Sequence, residues 1–308
     1  METFDCPGQR DTRRRVAVTF DDLPVREPGI CQARLRRVCD GLLDGVASHN
    51  VPAVGFVNEG LLYKYGQAEE RIGFLDAWLD AGGELGNHTF SHLYLYETPL
   101  PAFQKDVVRG EAVTAALLRA RGMRLRYFRH PFLCTGRDLG TRTAFEGFLG
   151  ARGYEVAPVT IDSLEWLFDE VYVRAAADRC RRDMRAVGAA YVAYMREVFE
   201  FYEELSVAVL GYELPQILLL HANALNADCF GELLAMIKGR GYEFISLAEA
   251  LRDGAYRLPD DYFGQVGISW LQRWAITKGL GFRKEPAPPA FVLRGADASL
   301  SGAEYKIL

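Results

Sequence analysis

The chain has 308 residues, 49% of them apolar and 25% charged, with a formal net charge of −5. That is the balance of a folded globular protein with room for one large α/β domain and its extensions, and it excludes a disordered or fibrous chain. Beyond Arg13 to Arg15 and the arginines near 34 to 37 there is no concentrated basic stripe, so nucleic acid is excluded as a partner.

Residues 1–15 form an N-terminal lead. They lack the apolar core of a signal peptide, so a cytoplasmic location is expected. No run approaches the roughly 18 apolar residues that cross a bilayer, so no membrane partner is expected. Six cysteines stand at 6, 31, 39, 134, 180 and 229 without a C-x-x-C pair, which fits reduced thiols better than a zinc ribbon or a disulfide framework. Oligomeric state is not encoded in any of these features.

From Val16 on, short apolar β-branched runs alternate with longer amphipathic ones, the pattern of repeated β/α units. The spacing predicts a strand over 16–20, a helix over 32–48, a strand over 51–57 and helices over 68–81 and 103–121. Residues 168–210 break the alternation and read as an inserted helical pair interrupted near Gly188. A buried strand over 215–220, a helix over 227–240 and a last strand over 243–247 follow. Gly82, Gly83, Gly122 and Gly241 stand where helices should stop. The domain is thereby predicted to cover 16–254, with 168–210 inserted and 255–308 a C-terminal extension that wraps it or edges its cleft.

The first chemical constellation is T-F-D-D-L-P, residues 19–24, two acids directly after a buried strand. Alternation along a strand sends Asp21 and Asp22 to different neighbours, so one can bind a metal while the other faces substrate. The second is G-N-H-T-F-S-H, residues 86–92. On a helical turn its two histidines share one face, where two nitrogens reach one cation. Thr89 stands where a zincin has Glu, which disfavours a metalloprotease. Asp22, His88 and His92 together offer a carboxylate and two imidazoles with positions left open. Zinc suits that set best, and cobalt, manganese, iron and nickel are compatible.

Three further blocks are R-Y-F-R-H-P-F (126–132), V-T-I-D-S-L-E-W (159–166) and I-L-L-L-H-A-N (217–223). Taken singly, each has an ordinary explanation in a surface arginine, a capping acid or a core histidine.

In this order, T-F-D-D, H-T-F-S-H, R-H-P-F, D-S-L-E-W and L-L-H resemble the polysaccharide deacetylase (NodB-homology) family, carbohydrate esterase family 4, from about Val16 to Leu251. The resemblance implies a distorted (β/α) barrel of about seven strands with the site at their carboxyl ends. It implies that Asp21 is the general base, that Asp22, His88 and His92 hold the metal, and that His221 is the general acid. Arg129 would orient the base, and Phe132 stands where a backbone N–H helps hold the oxyanion. Leu23 and Pro24 follow the first block where the family usually has Gly. Glu165 stands where it has Asp, so either Glu165 or Asp162 could orient His221.

The implied activity is metal-dependent hydrolysis of an acyl group from nitrogen, on an acylated amino sugar or a glycan. Tyr94, Tyr96, Trp166, Trp270 and Trp274 could offer stacking surface for sugars. The absent leader and the added segments favour instead a small amide in an enclosed site. A non-catalytic relative would usually have lost a metal ligand or the base, and neither is missing.

Overall fold

The computed structural model describes residues 13–296; nearly all of the N-terminal lead and the end of the extension lie outside them. The chain forms β1 (Arg14–Leu23), α1 (Gln32–Ser48), β2 (Val54–Val57), α2 (Ala68–Asp80), β3 (Glu84–Asn87), α3 (Leu100–Arg109), α4 (Ala112–Ala120), β4 (Tyr127–Phe128), α5 (Leu139–Ala151) and β5 (Glu155–Val156). It continues through α6 (Glu165–Ala177), α7 (Arg181–Leu210), β6 (Gln216–His221), α8 (Ala224–Gly239), β7 (Tyr242–Phe244), α9 (Leu247–Ala250), α10 (Trp270–Thr277) and α11 (Ala290–Ala296).

The seven strands make one parallel sheet in the order β5-β4-β3-β2-β1-β6, with β7 paired to β1. Because β6 pairs with β1 from Val16 to Asp21, β2 and β7 share the other edge of β1. Just past β5, Ile161 bridges to Leu218 of β6 in parallel. The sheet thus curls until its ends meet, the distorted (β/α)7-type barrel expected. Parallel strands buried on both faces read as continuous apolar runs, and V-A-V-T-F is one. Phe20 stands edge-on to Trp78 of α2 and Phe230 of α8, with ring centroids 5.6 Å and 5.3 Å away.

Several elements differ from expectation. The strand predicted over 51–57 starts at Val54, and α8 starts at Ala224, where the Asn223 side chain accepts the Asn226 N–H at 2.8 Å. The last strand ends at Phe244, after which Ser246 caps α9. The helix predicted over 103–121 is two helices broken at Gly110. A Cβ there would lie 2.6 Å from the carbonyl carbon of Thr89 and 2.8 Å from the nitrogen of Phe90. Glu59 restarts the helix by accepting the N–H groups of Val113 and Thr114 at 3.0 Å and 2.7 Å. The break therefore makes room for the loop that carries the two histidines.

The inserted helical pair is α6 and α7, but it divides at Asp178–Cys180, where Arg179 is left-handed (φ 54°), and not at Gly188. Gly188 lies inside α7 and lets it approach α8, since a Cβ there would meet Cys229 Sγ at 2.9 Å. Gly188→Leu should destabilise the protein by about 1–3 kcal/mol through overpacking. Thermal unfolding checks this, and an unchanged Tm would mean that α7 and α8 can separate freely.

The C-terminal segment wraps the domain. Arg273, 1% exposed, donates to Thr135 Oγ1 at 3.1 Å, to Asp260 Oδ2 at 3.0 Å and to the carbonyl of Leu133. Trp270 and Trp274 are buried in the main core, which corrects the expectation that they could stack on sugars. No helix of the described residues is long and apolar enough to cross a membrane.

Candidate active site

The site lies where β1, β3, β4 and β6 end, the rim at which βα loops converge. β1 does not stop before its acids but runs through them to Leu23. Its register against β2 slips between Phe20 and Leu23, three steps on β1 against two on β2, and Asp22 is left-handed (φ 60°). This bulge overrides strict alternation and re-aims the side chains. Asp21 Oδ2 and Asp22 Oδ1 then reach the same His88 Nε2, at 3.6 Å and 3.9 Å. Leu23, fully buried, fills the space beside Gly55, where a Cβ would meet it at 2.3 Å. The departure from Gly at 23 is thus compensated by a glycine on the neighbouring strand.

His88 and His92 do not share a helical turn, as their spacing had implied. They lie in the loop after β3, shaped by left-handed Thr89 (φ 66°) and His92 (φ 55°). Asn87 Oδ1 accepts the Thr89 N–H at 2.7 Å, Thr89 Oγ1 accepts the His92 N–H at 3.0 Å, and Asp106 accepts that of Ser91 at 2.8 Å. His92 Nε2 stands 3.7 Å from Asp22 Oδ1. His88 Nδ1 lies 2.9 Å from the carbonyl of Arg129. A carbonyl only accepts, so Nδ1 carries the proton and Nε2 keeps its lone pair for a cation.

Arg129 follows β4 and is fully buried. It donates to both oxygens of Asp21 at 3.3 Å and 3.4 Å, to the carbonyl of Ala157 at 2.8 Å and to Thr19 Oγ1 at 3.0 Å, with Phe56 stacked against it. Phe132 lies in a 3-10 turn over Pro131–Leu133, left-handed at φ 56°, its ring 4.5 Å from that of His92. Asp22, Thr89, His92, Phe132 and Leu133 make up most of the left-handed non-glycine residues in the described chain. Such strain gathers where surrounding structure over-determines a site.

His221 ends β6, and Glu165 opens α6 beside it. Glu165 Oε1 lies 3.3 Å from His221 Nδ1 and accepts the His221 N–H at 2.7 Å. Asn226 donates to the same oxygen at 2.7 Å, and Asn223 to Oε2 at 3.2 Å. The pairing left open in the sequence therefore falls to Glu165. Asn223 and Asn226 had no signal in the sequence beyond closeness to His221. Asp162 accepts the Ser163 N–H at 2.8 Å, and burial, then Glu285, push its carboxyl up to about 7. Trp166, half-buried, packs against the main core.

Burial opposes charge on His221, but Glu165, by charge and hydrogen bond, with Asp22 and Asp21, raises it to about 9. Burial works against ionised Asp22, yet His92, Arg26, His88 and His221 hold its carboxyl well below the usual range. Burial, reinforced by His88 and Arg26 against the pull of Asp22, lowers His92 to about 3, so its imidazole is neutral at pH 7.

A divalent ion fits this set. One donor atom each from Asp22, His88 and His92 lies within 4.8 Å of the others. Tetrahedral zinc with bonds of about 2.0–2.1 Å holds its ligands about 3.4 Å apart; Asp22 Oδ1 lies 3.7 Å from His92 Nε2 and 3.9 Å from His88 Nε2, somewhat wider than that. Asp22 Oδ1 is buried with no hydrogen-bond partner, a state that calls for a cation.

Residues 8–148 match the family model described as polysaccharide deacetylase, a span that holds the first three blocks and ends before those of Glu165 and His221. Among solved structures, the polysaccharide deacetylase Bc1974 from Bacillus cereus is 18% identical, with a TM-score of 0.52 over 83% of this chain and 100% of that one. The peptidoglycan N-acetylglucosamine deacetylase Bc1960 is 17% identical, with a TM-score of 0.50 over 79% of this chain and 91% of that one. A mutant of BA3943, described as a CE4 family pseudoenzyme with restored enzymatic activity, is 16% identical, with a TM-score of 0.49 over 78% and 68%.

Proposed function

We propose, from the premise that this chain belongs to the polysaccharide deacetylase family, that it is a metal-dependent hydrolase removing an N-acetyl or similar acyl group from an amino sugar or glycan. The observation that carries this reading is the unpartnered Asp22 oxygen facing two histidine nitrogens, with Asp21 and His221 beside it.

Amide hydrolysis needs a nucleophile, a sink for oxyanion charge and a proton for the leaving amine. A divalent ion, zinc for preference, supplies Lewis acidity and lowers the pKa of water from 15.7 to about 7. Asp21 takes the proton of the attacking water, and Arg129 fixes that carboxylate in place. The backbone at Phe132 helps hold the developing oxyanion. His221 is held protonated by Glu165 and gives its Nε2 proton to the departing nitrogen as the C–N bond breaks.

The His221 value sets a pH dependence. A group raised from 6.5 to about 9 on folding is the active acid below about 9, and both its catalysis and its contribution to stability are lost as pH rises through that value. The alkaline limb of kcat/KM should therefore lie near 9. Glu165→Gln removes the chief stabilising charge and should move that limb to lower pH. A limb that stays in place would detach Glu165 from the acid.

A small amide is the second reading. It is favoured by the C-terminal segment, which lies over the Phe132 wall: the Tyr94 hydroxyl donates to the carbonyl of Gln265, and Gly267 packs on the backbone of Phe132 and Leu133. The test is acetate release from acetylated glycans and monomers by protein stripped with a chelator and then restored with zinc. The proposal expects release only after restoration, and the preferred substrate separates the two readings. No metal-dependent release from any of them would leave a non-catalytic relative.

A further inference from the structure

The loop between β1 and α1 carries a cation that the reaction above does not use. Buried Arg71 of α2 donates to the carbonyl of Val25 at 2.9 Å, and Gln67 donates to that of Ile30 at 2.8 Å. The loop is thereby clamped at both ends. Within it, Glu27 pairs with Arg34 at 3.1 Å, while the Arg26 side chain is 55% exposed with Nη1 3.7 Å from Asp22 Oδ2. Among the described residues Asp22 is its only ion-pair partner.

Two other acids of the reaction centre already have cationic partners. Asp21 answers to Arg129 and Glu165 to His221, and Asp22 answers to the triad's cation once that is bound. Arg26 is then a half-exposed positive charge without a carboxylate partner, on a loop held at both ends and next to the triad. A guanidinium presents a planar fork that matches a carboxylate.

We propose that Arg26 is a specificity-determining residue that recognises a carboxylate carried by the substrate close to the scissile amide, so that the preferred substrate is an acidic N-acyl sugar. This inference rests on the deacetylase reading above.

The test uses the zinc-loaded full chain and two probes, N-acetylchitotriose and the same trisaccharide oxidised to carboxylates at C6. The wild type should favour the oxidised sugar in kcat/KM. Arg26→Gln should lower the ratio of oxidised to neutral by about 10-fold, the scale of one charge-assisted hydrogen bond at a partly exposed site. Arg26→Lys, which keeps the charge and loses the fork, should fall between. Zinc affinity, measured by competition with a chelator, should not fall in Arg26→Gln, since the substitution removes a competing cation. Turnover of both sugars with an unchanged ratio would overturn the role of Arg26 and leave the enzyme reading standing. A tenfold loss of zinc affinity would overturn it too, by making Arg26 a support of the triad. No zinc-dependent release from either sugar by the wild type would overturn both.

Discussion

Asp21→Asn and His221→Ala should each lower kcat by about 10²- to 10⁴-fold, the usual contribution of one general base or acid, while bound zinc stays at the wild-type level. Neither side chain is one of the three proposed ligands, yet each lies beside them: Asp21 Oδ2 is 3.6 Å from His88 Nε2, and His221 contributes to the field that keeps Asp22 ionised. Steady-state kinetics with elemental analysis of the same samples separates chemistry from metal loss. Asp21→Asn leaves Arg129 buried beside a neutral partner, so its Tm should be measured as well. A normal kcat in either variant would remove that residue from the mechanism.

Asp22→Ala and His88→Ala should have the larger effect, because they remove a ligand: bound zinc should be lost and activity should drop to that of the chelated wild type. His88 is the sharper case, since its Nδ1 is already committed to the carbonyl of Arg129. Its replacement costs both a cation ligand and one of the contacts between the segments that follow β3 and β4. Elemental analysis after dialysis checks this, and metal equal to wild type would refute the ligand assignment.

Elements were legible in the sequence where their periodicity repeated without interruption. The helix over 32–48 and the strand ending in His221 are examples. β4 and β5 are two residues each, too short to show alternation, and β3 was hidden in the glycine-rich run before His88. Spacing identified His88 and His92 but misread the backbone, since ligands four positions apart suit a helical turn as well as a loop with two left-handed residues. The bulge at Asp21–Asp22 could not be read either, because register depends on the partner strand. Gly188 looked like a helix break when its need came from Cys229 on another helix.

Departures from the family pattern have local partners. Leu23 is matched by Gly55 on the adjacent strand. The longer Glu165 side chain reaches the backbone N–H and Nδ1 of His221 together, with Asn223 and Asn226 holding the carboxylate.

Anomalous diffraction at the zinc edge, from crystals of the full chain grown with zinc, tests the centre of this account. One strong peak should lie within bonding distance of Asp22, His88 and His92 at once. A map with no peak there, or with zinc bound only elsewhere on the molecule, would contradict it.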